Sequence, residues 1–544
     1  MAETDAFSLK SPESFDAVIV GAGIAGLYML HRLRALGLSA VVIEIADGVG
    51  GTWFWNRYPG ARVDIESRDY GYSFDPELER EWRWSERYAA QPELLRYINH
   101  VADRHDLRRD IRFETRVVSA RFDESANRWS VATNRGEQIV ARFCIMATGC
   151  LSEPKDIHFE GLDSFAGETY STFDYPKGGV DFSGKRVGII GTGSSAIQTI
   201  TTIAPHCAHL TVFQRTPNYS VPAHNRPLTH EEQAEWDKDR ADYRALAKQQ
   251  PLAFWNEPTE ALALETPAEA RELEFERRWA YGGLRVGGSF ADVGIDLKAN
   301  TLAANFAASK IRAVVKDPDT AERLTPKTYP FATKRLCVDT GYYEVFNRDT
   351  VTLVDLRETP LERITPSGIK TSAASFDCDA IIFATGFDAM TGTLAKIDIR
   401  GRGGLRLTEA WADGPTTYLG LMVAGFPNFF TITGPGSPSV LSNMIMSIEQ
   451  HVDWIADCIT HLAERQLSTV EASEPAAQEW VAHVAEVAEM TLYPLANSWY
   501  MGANVPGKPR VFLPYIGGFN LYVEACNAIV ADGYRGFEMR AAAP

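Results

Sequence analysis

The chain has few cysteines, no long apolar run and no excess of basic residues. Its seven cysteines in 544 residues form no CxxC or other close pair, which predicts free thiols in a reducing compartment rather than a disulfide framework. An unbroken apolar run of about eighteen residues is missing, so no transmembrane helix is predicted. The formal net charge of −17 makes nucleic acid and anionic membranes poor partners, because both attract basic surfaces.

Two further patterns are missing. Residues 1–14 lack the basic-then-apolar layout of a signal peptide, and we therefore expect a cytoplasmic protein. The histidines show no metal-ligand spacing, so no metal site is predicted. The chain is long, and its composition is that of a globular protein, with 45% hydrophobic and 23% charged residues. A length of 544 residues exceeds what one hydrophobic core can organise, so two or three domains are expected.

Two glycine-rich turns each follow an apolar strand and precede a helix. The first is Gly21-Ala-Gly23-Ile-Ala-Gly26 and the second is Gly191-Thr-Gly193-Ser-Ser-Ala196. In such a unit the backbone N–H groups and the helix dipole point at the pyrophosphate of a dinucleotide. One such motif is weak evidence, but two with a second strand at the right distance are strong. A single true site beside a chance glycine turn is the alternative.

In each of these two units a second strand follows the helix, and the residue after that strand indicates which nucleotide the unit binds. The strand at 39–43 ends in Glu44, a carboxylate placed to accept hydrogen bonds from an adenosine ribose. The strand at 210–214 ends in Arg215-Thr216, and a guanidinium there would bind a 2′-phosphate that a carboxylate would repel. The sequence therefore predicts FAD at the first site and NADPH at the second.

An apolar strand with an Ala-Thr-Gly turn occurs twice, at 141–149 and at 379–386, and the two copies bracket the second fingerprint. We predict an α/β protein with two Rossmann-like dinucleotide-binding domains, the second inserted in the first and carrying a helical subdomain. The predicted limits are 1–151 and 389–544 for the FAD domain, 152–227 and 331–388 for the NADPH domain, and 228–330 for the helical insertion.

Four segments outside the fingerprints resemble one known family. They are GGTWFWNRYPGARVD at 50–64, TKR at 333–335, GPGSP at 434–438 and SWYMGAN at 498–504. In these segments, and from about residue 15 to the end, the chain resembles the type I Baeyer–Villiger monooxygenases. It looks most similar to their phenylacetone and steroid monooxygenase branch.

The resemblance implies a flavin-dependent enzyme that inserts one oxygen atom of O2 next to a ketone carbonyl, giving an ester or lactone with NADPH as reductant. In this family reduced FAD forms a C4a-peroxyflavin, and its attack on the ketone gives a Criegee intermediate. One alternative is an N- or S-oxygenating flavin-containing monooxygenase. A flavin reductase or electron-transfer protein, which the missing cysteine pair disfavours, and a nucleotide-binding sensor are further alternatives.

The resemblance also implies which residues form the sites. Arg335 is the catalytic cation, because arginine stays protonated beside developing negative charge, and Asp64 orients it. A surface charge is the alternative for Arg335, and a turn or helix-cap acid is the alternative for Asp64. The residues expected to bind FAD are Gly21, Gly23, Gly26, Glu44, Gly51, Thr52, Trp53, Asp64, Tyr70, Val117 and Met444. Those expected to bind NADPH are Thr192, Gly193, Ser194, Ser195, Gln198, Arg215, Thr216, Lys334, Arg335 and Trp499.

The expected substrate pocket is apolar and suits aromatic or bulky ketones. Its residues are Ile65, Cys150, Leu151, Val440, Leu441, Met444 and Trp499. Trp499 is expected on a mobile loop that closes over nicotinamide and substrate, with a buried core tryptophan as the alternative. We expect O2 and a small ketone as the partners, no nucleic acid or membrane, and a monomer.

One segment departs from the family pattern F-x-G-x-x-x-H-x-x-x-W-P. At 165–176 this chain has Ser171 where the pattern has His and Tyr175 where it has Trp. Because this linker is thought to couple domain motions, we expect the departure to affect how tightly NADPH use is coupled to product rather than the reaction type.

Overall fold

The computed structural model describes residues 12–257 and 259–541. Residues 1–11, which carry most of the signal-peptide argument, and 542–544 lie outside them. The strands of the described part are β1 (Glu13–Val20), β2 (Ala40–Ile43), β3 (Ile111–Arg112), β4 (Val117–Asp123), β5 (Arg128–Thr133), β6 (Gln138–Met146), β7 (Glu168–Ser171), β8 (Arg186–Ile190), β9 (His209–Gln214), β10 (Ser220–Pro222), β11 (Cys337–Asp339), β12 (Val351–Asp355), β13 (Leu361–Thr365), β14 (Gly368–Thr371), β15 (Ser375–Asp377), β16 (Ala380–Phe383), β17 (Asp398–Arg400), β18 (Phe429–Thr431), β19 (Leu467–Ala472) and β20 (Phe537–Ala541).

Helices separate most of these strands. They are α1 (Ile24–Ala35), α2 (Thr52–Trp55), α3 (Pro76–Glu81), α4 (Gln91–Arg104), α5 (Ser194–Ile203), α6 (His230–Lys248), α7 (Ala268–Tyr281), α8 (Leu297–Val314), α9 (Pro318–Leu324), α10 (Tyr342–Val345), α11 (Gly392–Ala395), α12 (Leu407–Ala410), α13 (Met444–Glu464), α14 (Glu474–Glu489) and α15 (Phe519–Ala531).

The first large sheet carries the first glycine-rich turn. Its strand order is β17-β4-β5-β6-β1-β2-β3, and β18 also pairs with β6. β1 is parallel to both β2 and β6, and its last four residues are buried. Because β17 and β18 come from beyond residue 389, the C-terminal part of the chain returns to this sheet.

The second large sheet carries the second glycine-rich turn. Its order is β12-β9-β8-β16-β7, and every pair in it is parallel. Buried parallel strands that alternate with helices are typical of a doubly wound α/β domain. The predicted fold class, with two Rossmann-like units, is confirmed. The domain limits at 151, 227, 330 and 388 stay predictions.

Helices α6 to α9 occupy most of the segment predicted to be a helical insertion. α6 begins with a capping box. The Thr229 hydroxyl accepts a hydrogen bond from the Glu232 N–H, and the Glu232 carboxylate accepts one from the Thr229 N–H. None of the helices in the described ranges is long and apolar enough to cross a membrane. No group of three or more His, Cys, Asp or Glu residues with metal-binding geometry occurs in the same ranges. All seven cysteines are free and buried.

A buried histidine holds the turn after β18. The Thr433 N–H donates to His451 Nδ1 at 2.8 Å, and His451 Nε2 lies 3.0 Å from the Tyr522 hydroxyl, which donates to the Leu419 carbonyl. Thr433 is left-handed, with φ +57°. Burial lowers the pKa of His451 to about 3, so the ring is neutral at pH 7 and its Nδ1 can accept this hydrogen bond.

This histidine should make stability fall in acid. Between pH 6.5 and 3 the unfolded chain binds a proton at His451 that the folded protein does not, so the free energy of unfolding decreases as pH falls through that window. The expected loss from this group is about 2 kcal/mol at pH 5 relative to pH 7. Urea unfolding of the wild type and of His451→Gln at both pH values measures it. The variant should be less stable at pH 7 and lose less on acidification, and equal pH dependence would contradict the assignment.

Candidate active site

The first glycine-rich turn has no room for side chains. A Cβ on Gly21, which has φ +106°, would lie 2.6 Å from the Ala147 carbonyl oxygen, and one on Gly26 would lie 1.8 Å from the Gly21 carbonyl oxygen. A Cβ on Gly23 would meet the Gly51 Cα at 3.3 Å. The first Ala-Thr-Gly turn and the 50–51 segment therefore both pack against the fingerprint, as a dinucleotide cradle requires.

Glu44 is buried beside this turn. Its carboxylate accepts from the Ala22 N–H at 2.6 Å and from the Ala46 N–H at 2.8 Å. Burial raises its pKa, against the effect of these hydrogen bonds. Each carboxylate oxygen keeps a second lone pair for a ribose hydroxyl. The cradle and this acid fit an adenine dinucleotide.

The residues expected around the flavin come from several elements. Trp53, in α2, donates its indole N–H to the Tyr70 hydroxyl at 3.0 Å, and the two rings meet edge to face with centroids 5.8 Å apart. Two of the residues expected at the flavin are therefore in contact with each other. Val117 begins β4 and Met444 begins α13, at points of the chain where spacing gives no reason to place a cofactor contact.

Arg335 and Asp64 form a two-point ion pair. Arg335 Nε donates to Asp64 Oδ2 at 2.6 Å and Nη2 donates to Oδ1 at 2.9 Å. Both side chains are about a quarter exposed, at 26% and 27%. Burial alone would raise the pKa of Asp64, but the Arg335 charge outweighs it and the net shift is downward. The pKa of Arg335 is raised by the carboxylate in turn. The pair is charged on both sides at neutral pH.

The remaining Arg335 nitrogen reaches the predicted substrate pocket. Arg335 Nη1 donates to the Val440 carbonyl at 2.6 Å, and the Tyr500 hydroxyl also interacts with the guanidinium. Tyr500 is 2% exposed. Tyr500 was not predicted as a site residue. The motif pointed to its neighbour Trp499, and a tyrosine among apolar residues has the same sequence pattern as an ordinary core residue.

Six of the seven predicted pocket residues belong to one apolar cluster. They are Cys150, Leu151, Val440, Leu441, Met444 and Trp499, and Tyr500 lies with them. The Cys150 thiol sits 3.0 Å from the Ser439 hydroxyl and 3.2 Å from the Thr433 carbonyl oxygen. Burial raises its pKa, so the sulfur is a neutral thiol.

The seventh pocket residue, Ile65, lines a neighbouring cavity. This space, which is open to solvent, is lined by Asp64 and Ile65 together with Phe254, Leu284 and Arg285. The last three belong to the predicted helical insertion, for which the sequence indicates no chemical role. The insertion therefore forms a wall of the space beside the ion pair.

The second glycine-rich turn begins α5 and is tied to the segment after β9. The Thr192 hydroxyl donates to the Thr216 carbonyl at 2.8 Å. Gly193 directly precedes Ser194 and Ser195 in the first turn of α5. Gln198 is differently engaged, because it accepts from the Tyr58 hydroxyl at 3.0 Å and donates to the Arg62 carbonyl at 3.3 Å. Its amide joins the 58–62 segment to α5.

Lys334 lies near the segment that begins with Arg215, because the Tyr329 ring beneath its ammonium group donates its hydroxyl to the Pro217 carbonyl at 3.0 Å. Arg215 is exposed directly after β9, and Lys334 Nζ lies 4.6 Å above the centre of the Tyr329 ring. Burial and the charge of Arg215 both lower the pKa of Lys334. Two cations held this close fit a doubly charged phosphate.

The Trp499 segment is fastened to the chain that follows the second Ala-Thr-Gly turn. Trp499 begins a short 3₁₀ helix, Trp499–Met501, and its ring lies 4.2 Å from the Tyr500 ring. The Asn504 amide donates to the Phe387 carbonyl at 2.8 Å. Lys508 Nζ contacts Asp388 Oδ1 at 2.6 Å and the Ala389 carbonyl at 2.8 Å.

The linker that departs from the family pattern lies at the edge of the second sheet. Ser171 ends β7, and its hydroxyl accepts from the Phe173 N–H at 3.1 Å. Tyr175 is 2% exposed and its ring lies 5.9 Å from that of Tyr170. Its N–H donates to the Trp55 carbonyl at 3.4 Å, so this linker contacts the helix that carries the predicted flavin residue Trp53.

Comparison with known proteins gives the family. The model of the family described as pyridine nucleotide-disulphide oxidoreductase matches residues 18–248. A Baeyer-Villiger monooxygenase from Pseudooceanicola batsensis is 45% identical over 96% of this chain and 95% of its own. An acetone monooxygenase (methyl acetate-forming) from Gordonia sp. is 42% identical over 97% of this chain and 100% of its own. The chain belongs to the Baeyer–Villiger monooxygenases.

The solved structures agree. Oxidised steroid monooxygenase bound to NADP superposes with a TM-score of 0.94, at 52% identity over 97% of this chain and 99% of that one. The predicted family, the FAD and NADPH dependence and the monooxygenase reaction are thereby confirmed, and N- or S-oxygenation is the less supported alternative. Oxygen from O2 is inserted next to a ketone carbonyl.

We expect the Lys508–Asp388 ion pair to restrain the Trp499 segment. Lys508→Gln removes the charge that holds it, so chymotrypsin, which does not cut at lysine, should cleave near Trp499 and Tyr500 several-fold faster in the flavin-loaded protein. NADP⁺ should slow cleavage in both proteins. Lys396→Gln is the control, because it removes a more exposed ion pair, with Glu153. Equal cleavage in all three proteins would show that the pair does not restrain this segment.

Proposed function

We propose that Arg335 is the catalytic cation of this monooxygenase and that Asp64 orients it. The observation that carries the proposal is the two-point ion pair, which leaves Nη1 directed at the pocket segment that contains Val440. Reduced FAD supplies the activation of O2 when it is bound. Arg335 holds a permanent positive charge where negative charge develops on the ketone oxygen, and it cannot donate its proton away at neutral pH.

Asp64 keeps that charge in one place. A carboxylate that accepts hydrogen bonds from both Nε and Nη2 fixes the plane of the guanidinium. The arginine therefore needs little reorientation during the reaction. The Val440 carbonyl restricts it from the pocket side. The fixed position should make a lysine a poor substitute, because an ammonium group cannot make the same fork.

The test is Arg335→Ala beside Arg335→Lys in the flavin-loaded enzyme. Arg335→Ala should still be reduced by NADPH but should form ester at least about a hundredfold more slowly, the usual cost of removing an oxyanion-stabilising donor. Arg335→Lys should recover only part of the rate. Anaerobic flavin reduction and product analysis by gas chromatography measure the two steps separately. Undiminished ester formation by Arg335→Ala would refute the role.

We propose the two nucleotide sites as the sequence predicted them. The first glycine-rich turn and Glu44 would hold FAD, and the turn at Thr192–Ser195 would hold the NADPH pyrophosphate. Arg215, Thr216 and Lys334 would hold the 2′-phosphate, and the exposed Arg215 beside the partly buried Lys334 supports this. We also propose a monomer, since a net charge of −17 opposes self-association.

We propose that aromatic or bulky ketones are the preferred substrates. The support is an apolar cluster that combines small and flexible side chains, Cys150, Val440 and Met444, with the wall supplied by Phe254 and Leu284. The relative that is 52% identical is named a steroid monooxygenase, which agrees with a pocket for large ketones.

The comparison of phenylacetone with cyclohexanone tests this preference. We expect kcat/KM to be at least about tenfold higher for phenylacetone, because its ring buries additional apolar area in the pocket. Phe254→Ala should lower kcat/KM for phenylacetone more than for cyclohexanone. A preference for cyclohexanone in the wild type would overturn the proposal.

A further inference from the structure

A third basic residue, Lys155, lies beside the second glycine-rich turn. Its backbone N–H donates to the Gly386 carbonyl at 3.1 Å, and Pro154 pairs with Phe387 in an antiparallel bridge. Lys155 Cε lies 3.8 Å from the position that a Cβ on Gly386 would take. The lysine side chain therefore runs along the second Ala-Thr-Gly turn.

That turn is in contact with the fingerprint. β16 ends just before Ala384 and pairs with β8, which ends just before Gly191. A Cβ on Gly191 would lie 2.4 Å from the Ala384 carbonyl oxygen. In the sheet order β9-β8-β16, Arg215 follows β9 and Lys155 lies over the end of β16. The two cations flank the fingerprint from opposite sides.

Two acids near Lys155, Glu153 and Asp388, are already paired with other lysines. Glu153 accepts from Lys396 at 2.6 Å, and Asp388 is bound to Lys508 at 2.6 Å. Among the described residues, no carboxylate oxygen lies within ion-pair distance of Lys155, Arg215 or Lys334. Lys155 is partly buried, and burial and the charge of Arg215 lower its pKa against the opposite effect of the more distant Asp388. A half-buried cation without a counter-ion costs stability unless an anion is bound there.

We propose that Lys155 binds the pyrophosphate of NADPH, an inference that rests on the proposed NADPH site. In a unit of this kind the pyrophosphate lies at the glycine turn and the N-terminus of the following helix, here between Arg215 and Lys155. The 2′-phosphate belongs at the end of β9, on the far side of the turn. An ammonium on a flexible stem suits a phosphate as a mobile point charge.

The test compares the binding of NADP⁺ and NAD⁺, because both carry the pyrophosphate and only NADP⁺ carries the 2′-phosphate. Isothermal titration of the flavin-loaded protein gives both Kd values without turnover. Lys155→Gln should weaken both nucleotides by the same factor, about tenfold, the usual effect of losing one charge-assisted hydrogen bond. Arg215→Gln should weaken NADP⁺ alone. Lys155→Arg should retain most of the affinity, and Lys370→Gln, which removes an exposed ion pair with Glu362, should change neither Kd.

The outcomes separate the alternatives. Unchanged affinities in Lys155→Gln would refute the contact, and a loss for NADP⁺ alone would move Lys155 to the 2′-phosphate and overturn the pyrophosphate assignment. If Arg215→Gln had no selective effect, the proposed nucleotide assignment would fail, whereas an equal loss in Lys155→Gln would still support the pyrophosphate contact. The flavin spectrum and the thermal midpoint of each variant verify that it is folded.

Discussion

The position of the Asp64–Arg335 pair depends on one segment, 58–64, which is held against the second nucleotide-binding unit. A Cβ on Gly60, which has φ +80°, would lie 2.2 Å from the Thr202 hydroxyl and 2.5 Å from the Gln198 carbonyl oxygen, so the Gly60 backbone touches α5 with no room for a side chain of its own. Tyr58 bonds Gln198 on one side of this contact, and Asp64 bonds Arg335 on the other. The Asp64–Arg335 pair therefore links this segment to the proposed catalytic cation.

Such a half-buried pair contributes more to geometry than to stability. The free-energy cost of removing both charges from water cancels a large part of their electrostatic attraction. Removing one partner leaves the charge of the other uncompensated. The flanking contacts matter for the same reason. The Val440 carbonyl takes one guanidinium N–H, so the groups that bound the substrate space also orient the cation.

The sequence alone was sufficient to predict an element wherever a local pattern is compatible with only one structure. The glycine turns, Glu44 at the end of β2 and the strands around them follow from steric and dipole rules that act over a few residues. Asp64 and Arg335 could be paired only through the family resemblance, because 271 positions separate them. Lys155, Tyr500 and the insertion residues Phe254 and Leu284 have no local signal. Their positions follow from how the chain returns to the two sheets, and a partly buried lysine in a linker has the same sequence pattern as a surface lysine. For the histidines the sequence predicted only that they bind no metal, and the structure adds that His451 holds the left-handed turn at Thr433.

The state of the cysteines has a consequence for durability. An oxygenase that releases hydrogen peroxide when turnover is uncoupled exposes its own sulfur to oxidant, and thiolates react far faster than thiols. All seven sulfurs are buried, and burial raises the pKa of Cys150, in the predicted substrate pocket. The protein therefore presents protonated, poorly nucleophilic sulfur to hydrogen peroxide.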